Sequence, residues 1–232
     1  MKFILFDIDG TLIDSGGAGV RALSLAFEDV FSVPDAFRSI SMAGKTDLQI
    51  VTEGLRLHHI ESSNGVVPSF FESYISHLRT TMDPELGHVK AGIKEALDIL
   101  SRTDSLMLGL LTGNIERGAR IKLEAFGLAK YFETGAFGDD DADRNRLLPI
   151  AVEKLRKTRS VVIDFRDCVV IGDTPRDIEC SKPFGACSVA VATGPYSYSV
   201  LEEAGADAVF HDLSDTEGFL SVVRKKSNSP RS

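Results

Sequence analysis

The sequence predicts an α/β protein built on a parallel sheet, with a separate helical unit inserted after the first strand. Three observations carry this reading. Short apolar runs ending in Asp, Gly or Thr alternate with segments of helical spacing. The runs are nearly continuous in apolarity, as strands become when helices cover both faces of a sheet. One long interval, residues 16–88, shows helical spacing and no convincing strand.

In chain order, residues 2–6, 106–111, 134–137, 168–171, 188–192 and 208–210 read as strands. Residues 92–101, 115–126 and 147–157 carry the spacing of amphipathic helices, and 201–204 reads as a short helix before a Gly-linked strand. The inserted interval reads as helices over 20–31, 48–58 and 69–80, joined by turns containing Gly, Ser and Pro. The expected organisation is therefore a core of residues 1–15 and 89–232 with a helical cap of residues 16–88. Residues 224–232 form a basic, Ser/Pro-rich tail expected to fray.

Composition sets bounds on function. A net charge of -8 disfavours non-specific binding to nucleic acid, while 43% hydrophobic and 26% charged residues are ordinary for a globular enzyme. The N-terminal apolar run from Phe3 to Phe6 is broken by Asp7 and Asp9, too early for a signal peptide. No run has the length of a membrane span. Cys168, Cys180 and Cys187 lack a metal-ligand spacing and read as buried, reduced thiols. A cytoplasmic enzyme with neither nucleic-acid nor membrane partners is expected.

Four groups of polar residues fall at consecutive strand ends, where ligands of open α/β sheets bind. Asp7 and Asp9, two apart in an extended chain, can face the same way. Asp-Gly is also a common reversal after a strand, and Thr11 suits a helix cap. Thr112, Gly113 and Asn114 bring a hydroxyl and backbone N–H groups to a helix N-terminus, which suits a phosphate oxygen as well as simple capping. Asp173 and Asp177 add hard oxygen ligands of the kind Mg²⁺ takes, and equally suit the start of a helix. Arg144 and Arg146 lie in an acidic loop, and either can supply a cation to offset the carboxylates; Arg144 is taken as the candidate.

With these residues the sequence resembles the haloacid dehalogenase (HAD) superfamily, in particular its phosphoglycolate-phosphatase-like branch with a helical cap. Asp7 to Thr11 match the family's Asp-x-Asp-Gly-Thr, Thr112 its second motif, and Gly172, Asp173 and Asp177 its Gly-Asp-x-x-x-Asp. The third motif departs, with Asp143-Arg144-Asn145-Arg146 where relatives commonly carry Lys-Pro, and residues 89–92 lack the usual Pro-Gly. The resemblance implies a Rossmann-like core and a Mg²⁺-dependent phosphatase acting on a small phosphorylated metabolite, such as phosphoglycolate or a sugar phosphate. It implies Asp7 as nucleophile and Asp9 as general acid and base, with neighbouring negative charge keeping Asp9 protonated. Thr112, Gly113, Asn114 and Arg144 would bind phosphate. Asp7, Asp9 through its carbonyl, Asp173 and Asp177 would hold the metal. Lys45 and Thr46, on a Gly-preceded loop of the cap, match the family's substrate-specificity loop or an ordinary helix start. A sugar phosphomutase of the same superfamily is the alternative activity.

Overall fold

The computed structural model describes residues 1–61 and 65–225. The chain opens with strand β1 (Lys2–Phe6), followed by the very short β2 (Ile13–Asp14). Three helices come next, α1 (Ala18–Phe31), α2 (Asp47–Leu57) and α3 (Val66–Thr81), and then β3 (His88–Val89). The remainder alternates: α4 (Ile93–Ser101), β4 (Leu106–Leu111), α5 (Glu116–Ala125), β5 (Gly135–Ala136), α6 (Leu147–Arg159), β6 (Cys168–Gly172) and α7 (Pro175–Ser181). It ends with β7 (Cys187–Val191), α8 (Tyr198–Glu203), β8 (Ala208–Phe210) and α9 (Thr216–Arg224).

Six strands form one sheet in the order β5-β4-β1-β6-β7-β8, every pair parallel. The chain leaves β1 to build one side of the sheet and returns to build the other, so the strand order reverses beside β1. A crevice opens at such a reversal, beyond the carboxyl ends of the strands.

The strand period explains the two buried faces. Ile4, Phe6, Val169 and Ile171 pack with Leu97, Leu123 and Phe219 of α4, α5 and α9. Their alternates Phe3, Leu5 and Val170 pack with Leu148 and Leu155 of α6 and Cys180 of α7 on the opposite side. Successive side chains point to opposite faces, and because both are covered, neither register position can be polar.

Helices α1 to α3 make a third apolar cluster. Ala18, Ala22 and Ala26 recur at helical spacing on α1, letting Phe70, Tyr74 and Leu78 of α3 lie close against it. Two differences from the sequence reading stand out. The ribbon of β2 with antiparallel β3 (Ile13 opposite Val89, Asp14 opposite His88) flanks the inserted interval, between the first two expected strands, where no strand was expected. Helix α9 was not anticipated either. The expected tail, from residue 226 on, lies outside the described residues. Cys168 and Cys180 are buried, Cys187 is half-buried, and all are free thiols. Among the described residues no helix is long and apolar enough to cross a membrane.

Candidate active site

The end of β1 is pinned from its neighbour: the Asp7 N–H donates to the Ile171 carbonyl at 2.9 Å, carrying the β1–β6 ladder one residue beyond the strand. The Asp7 carboxylate is thereby held in the crevice, buried, with Arg144 Nη2 at 3.3 Å. Carboxylate oxygens of Asp7, Asp173 and Asp177 all lie within 4.8 Å of one another.

Two glycines make this packing possible. A Cβ on Gly10 would sit 2.3 Å from Asp173 Oδ2, and Gly10 also has φ +81°, a conformation L side chains rarely adopt. A Cβ on Gly172 would lie 2.0 Å from the Asp177 carboxyl carbon. The glycine preceding Asp173 is thus the space Asp177 occupies.

Burial pushes the Asp7 carboxyl up to about 6; Arg144 opposes the rise and Asp177 adds to it. Asp173 is pushed well above the usual carboxylate range by burial and then by Asp177 and Asp7. Three buried carboxylates that repel one another, with hard oxygen donors converging, fit a divalent cation. Asp177 is the most committed of them. Its Oδ1 accepts from Arg144 Nη2 at 2.5 Å, and its Oδ2 accepts from the Thr174 N–H at 3.0 Å and hydroxyl at 2.7 Å, closing the first turn of α7. Asp173 is freer, its Oδ1 accepting from the Thr11 hydroxyl at 2.9 Å.

Arg144 and Arg146 separate cleanly. Arg144 is buried in the short 3-10 turn that leads into α6 and also approaches the Leu111 and Gly44 carbonyls. Arg146 is largely exposed and pairs with Asp141 at 3.1 Å.

Asp9 departs from expectation. It does not face the carboxylate cluster but a cation: Lys122 Nζ lies 2.6 Å from its Oδ2, Asn114 Nδ2 donates to the same oxygen at 2.9 Å, and the Ser15 hydroxyl reaches Oδ1 at 3.4 Å. Burial alone would raise its pKa, but Lys122, Asn114 and Ser15 outweigh that and hold it below the usual carboxylate value. Neighbouring negative charge therefore does not keep Asp9 protonated in this arrangement.

The amides at the start of α5 also differ from the phosphate cradle read in the sequence. The Asn114 N–H donates to Thr112 Oγ1 at 3.3 Å, Ile115 N–H to Asp47 Oδ2 at 2.9 Å, and Glu116 N–H to Asp139 Oδ1 at 3.0 Å. The Asn114 side chain is a bridge, donating to Thr112 and Asp9 and accepting from Lys122 at 2.6 Å. Gly113 has a different use. Its carbonyl accepts from the Asp47 N–H at 2.7 Å, and a Cβ there would meet the Lys45 carbonyl at 2.1 Å, so the loop before α2 rests on it.

Within that loop Thr46 is fully buried and caps α2, accepting from Gln49 N–H and donating to the Ala142 carbonyl at 2.9 Å. Its hydroxyl is committed to structure. Lys45 lines the cavity over the site, with its ammonium paired to Glu53. That cavity encloses about 440 Å³ between sheet and helices, reaching from Asp7 and Asp173 to Leu23, Ile50 and Tyr74.

Sequence reasoning missed Lys122, Asp47 and Tyr74, which come from helices far along the chain from the strand-end motifs. Lys122 had one signal: it shares the buried face of α5 with Ala119 and Leu123, where an apolar residue belongs.

A doubly wound parallel sheet with paired aspartates beyond β1, a hydroxyl beyond β4, a cation beyond β5 and further aspartates beyond β6 defines a hydrolase-type α/β enzyme. Residues 4–191 match the family model described as haloacid dehalogenase-like hydrolase, and the chain belongs to that family. It is an enzyme of the family's phosphatase type. Among its relatives is a phosphoglycolate phosphatase of Agrobacterium fabrum, 26% identical over 211 residues covering 90% of this chain and 88% of the relative. A hydrolase of Pseudomonas syringae superposes with TM-score 0.73 at 24% identity, covering 97% of this chain and all of that one. CbbY of Rhodobacter sphaeroides, solved with xylulose 1,5-bisphosphate, superposes with TM-score 0.72 at 17% identity, covering 93% and 96% of the two chains.

Proposed function

We propose that the protein is a Mg²⁺-dependent phosphatase that hydrolyses a small phosphate monoester, phosphoglycolate-like or a sugar phosphate, through an aspartyl-phosphate on Asp7. The observation that carries this reading is the buried triad of Asp7, Asp173 and Asp177 with the Arg144 guanidinium set against two of them. Asp7 and Asp173, with the Asp9 carbonyl, would hold the ion, and Asp177 orients Arg144. Bound there, Mg²⁺ would neutralise the phosphoryl charge that otherwise repels a carboxylate nucleophile.

Asp7 attacks phosphorus, and Thr112 and Arg144 bind phosphoryl oxygens as the negative charge redistributes. Asp9 gives a proton to the leaving alkoxide and then takes one from the water that opens the acyl phosphate. Resting ionised beside Lys122, Asp9 is already suited to the second task. Arrival of the phosphoryl dianion raises its proton affinity for the first. The division into a core of residues 1–15 and 89–232 and a cap of residues 16–88 belongs to this proposal. It is supported by the apolar cluster of α1 to α3, which Ile115 joins from the core side, and by the ribbon of β2 and β3 where the chain passes between the two.

The test is Asp7→Asn. The variant is expected to keep the wild-type circular dichroism and to lose more than about 99% of phosphate release, as nucleophile losses do. Retained turnover would remove Asp7 from its role. With sugar monophosphates the wild type should release one inorganic phosphate per ester consumed. Isomerised sugar phosphate with little free phosphate would favour the phosphomutase instead.

A further inference from the structure

The groups that line the cavity beyond the phosphoryl centre constrain the alcohol that leaves. Four cations line it, and each already faces a carboxylate: Lys45 with Glu53, Lys90 with Asp14 at 3.5 Å, Lys122 with Asp9 at 2.6 Å, and Arg144 with Asp177 and Asp7. Five carboxylates share the same wall, those of Asp7, Asp9, Asp14, Asp47 and Asp173. A divalent ion and a phosphoryl dianion cancel, so a second anionic group on the substrate would enter a lining that is already short of positive charge.

Two buried polar atoms of the lining lack a hydrogen-bond partner among the described residues: Arg144 Nε, on a guanidinium already paired with Asp177 and Asp7, and one neutral group. The Tyr74 hydroxyl, on a fully buried side chain of α3 that lines the cavity, has no hydrogen-bond partner among the described residues. A buried hydroxyl without a partner is costly and is best explained by a group that arrives from outside. Beside it the cap wall is apolar, formed by Val20, Leu23, Met42 and Ile50. At about 440 Å³ the cavity falls in the range that houses ligands much larger than glycolate.

We propose that this cavity selects the phosphate ester of a neutral, partly apolar alcohol bearing a hydrogen-bond acceptor for Tyr74, over esters carrying a carboxylate or a second phosphate. The inference rests on the phosphatase reading above and narrows its substrate class. Tyr74 is a specificity residue in it: it touches the leaving group and leaves the phosphoryl group to Thr112 and Arg144.

The experiment compares phosphate release, with Mg²⁺ present, from phosphoglycolate, ribose 5-phosphate, uridine monophosphate and benzyl phosphate. The better of ribose 5-phosphate and uridine monophosphate is expected to exceed phosphoglycolate at least tenfold in kcat/KM. Tyr74→Phe should lower that value about tenfold, the size of one lost hydrogen bond. It should cost clearly less on benzyl phosphate, whose leaving group offers no further acceptor. Without ligand, Tyr74→Phe should melt at or above the wild-type temperature, because the hydroxyl it removes is unpaired. Preference for phosphoglycolate, an equal loss on every ester, or a lower melting temperature would each overturn the inference while leaving the phosphatase standing. Silence of the wild type on all four esters would sink the phosphatase reading and this inference with it.

Discussion

Lys122 is a buried ammonium whose partners are Asp9 and Asn114, both at 2.6 Å. It holds the Asp9 carboxylate, whose side chain is 42% exposed and to which the proposed mechanism gives the proton exchange with the leaving group. Lys122→Met should therefore lower kcat on alkyl phosphates by about ten- to a hundredfold, a part of what general acid–base catalysis supplies. The loss should be much smaller on 4-nitrophenyl phosphate, whose leaving group departs without a proton. Equal losses on the two esters would mean that Lys122 serves the fold or the phosphoryl group. At this scale the sequence showed the residues that stand at strand ends, because Asp7, Thr112, Asp173 and Asp177 are polar interruptions directly after apolar runs. Lys122, Asp47 and Tyr74 reach the site from helix faces, and only the packing of α2 and α3 against α5 reveals which face that is. The charge state expected of Asp9 failed for the same reason: its counter-ion lies on another helix, 113 residues along the chain.

The strands of the sheet were legible because burial on both faces makes each a continuous apolar run, with boundaries within a few residues of those observed. The ribbon of β2 and β3 escaped because its Ile13–Asp14 and His88–Val89 segments are too short and mixed to show a period. Helix α2 shows what an element's first turn can hide. Asp47 opens it as a helix residue with a favourable dipole, yet its carboxylate is buried against α5, accepting from the Ile115 N–H at 2.9 Å. Burial raises its pKa to about 6, against the opposing pull of Lys122. The folded pKa thus lies above the unfolded value of 3.8, so this group's contribution to stability is complete below that value and is lost as pH rises through about 6. Asp47→Asn keeps an acceptor for Ile115 and removes the titration. Relative to the wild type, its stability should improve between pH 4 and pH 7, by up to about 3 kcal/mol at roughly 1.4 kcal/mol per pKa unit. Urea unfolding across that range measures it; a gap that stays constant with pH would show that Asp47 is not the group responsible.

On the scale of the whole molecule, the reversal of strand order beside β1 and the apolar cluster of α1 to α3 converge on one point, and the sheet holds three mutually repelling carboxylates there. Ionising them without a counter-ion costs folding free energy, since burial and repulsion already raise Asp7 and Asp173. A divalent ion that binds only the folded chain must then stabilise the protein as a whole as well as activate it. At about a hundredfold excess over its dissociation constant, Mg²⁺ should add about 2.7 kcal/mol, or a rise of roughly 5–10 °C in Tm for a chain of this size. Chelation should reverse the shift and silence phosphate release together. Ca²⁺ should restore the melting temperature better than it restores turnover, because its larger and more flexible shell fits the carboxylates without holding in-line geometry. Asp173→Asn relieves the repulsion and weakens the ion, so it should melt higher than the wild type in chelator and gain little from Mg²⁺. Calorimetry with and without Mg²⁺ reads both effects. If the wild type melted at the same temperature in chelator and in excess Mg²⁺, the triad would not be a metal site.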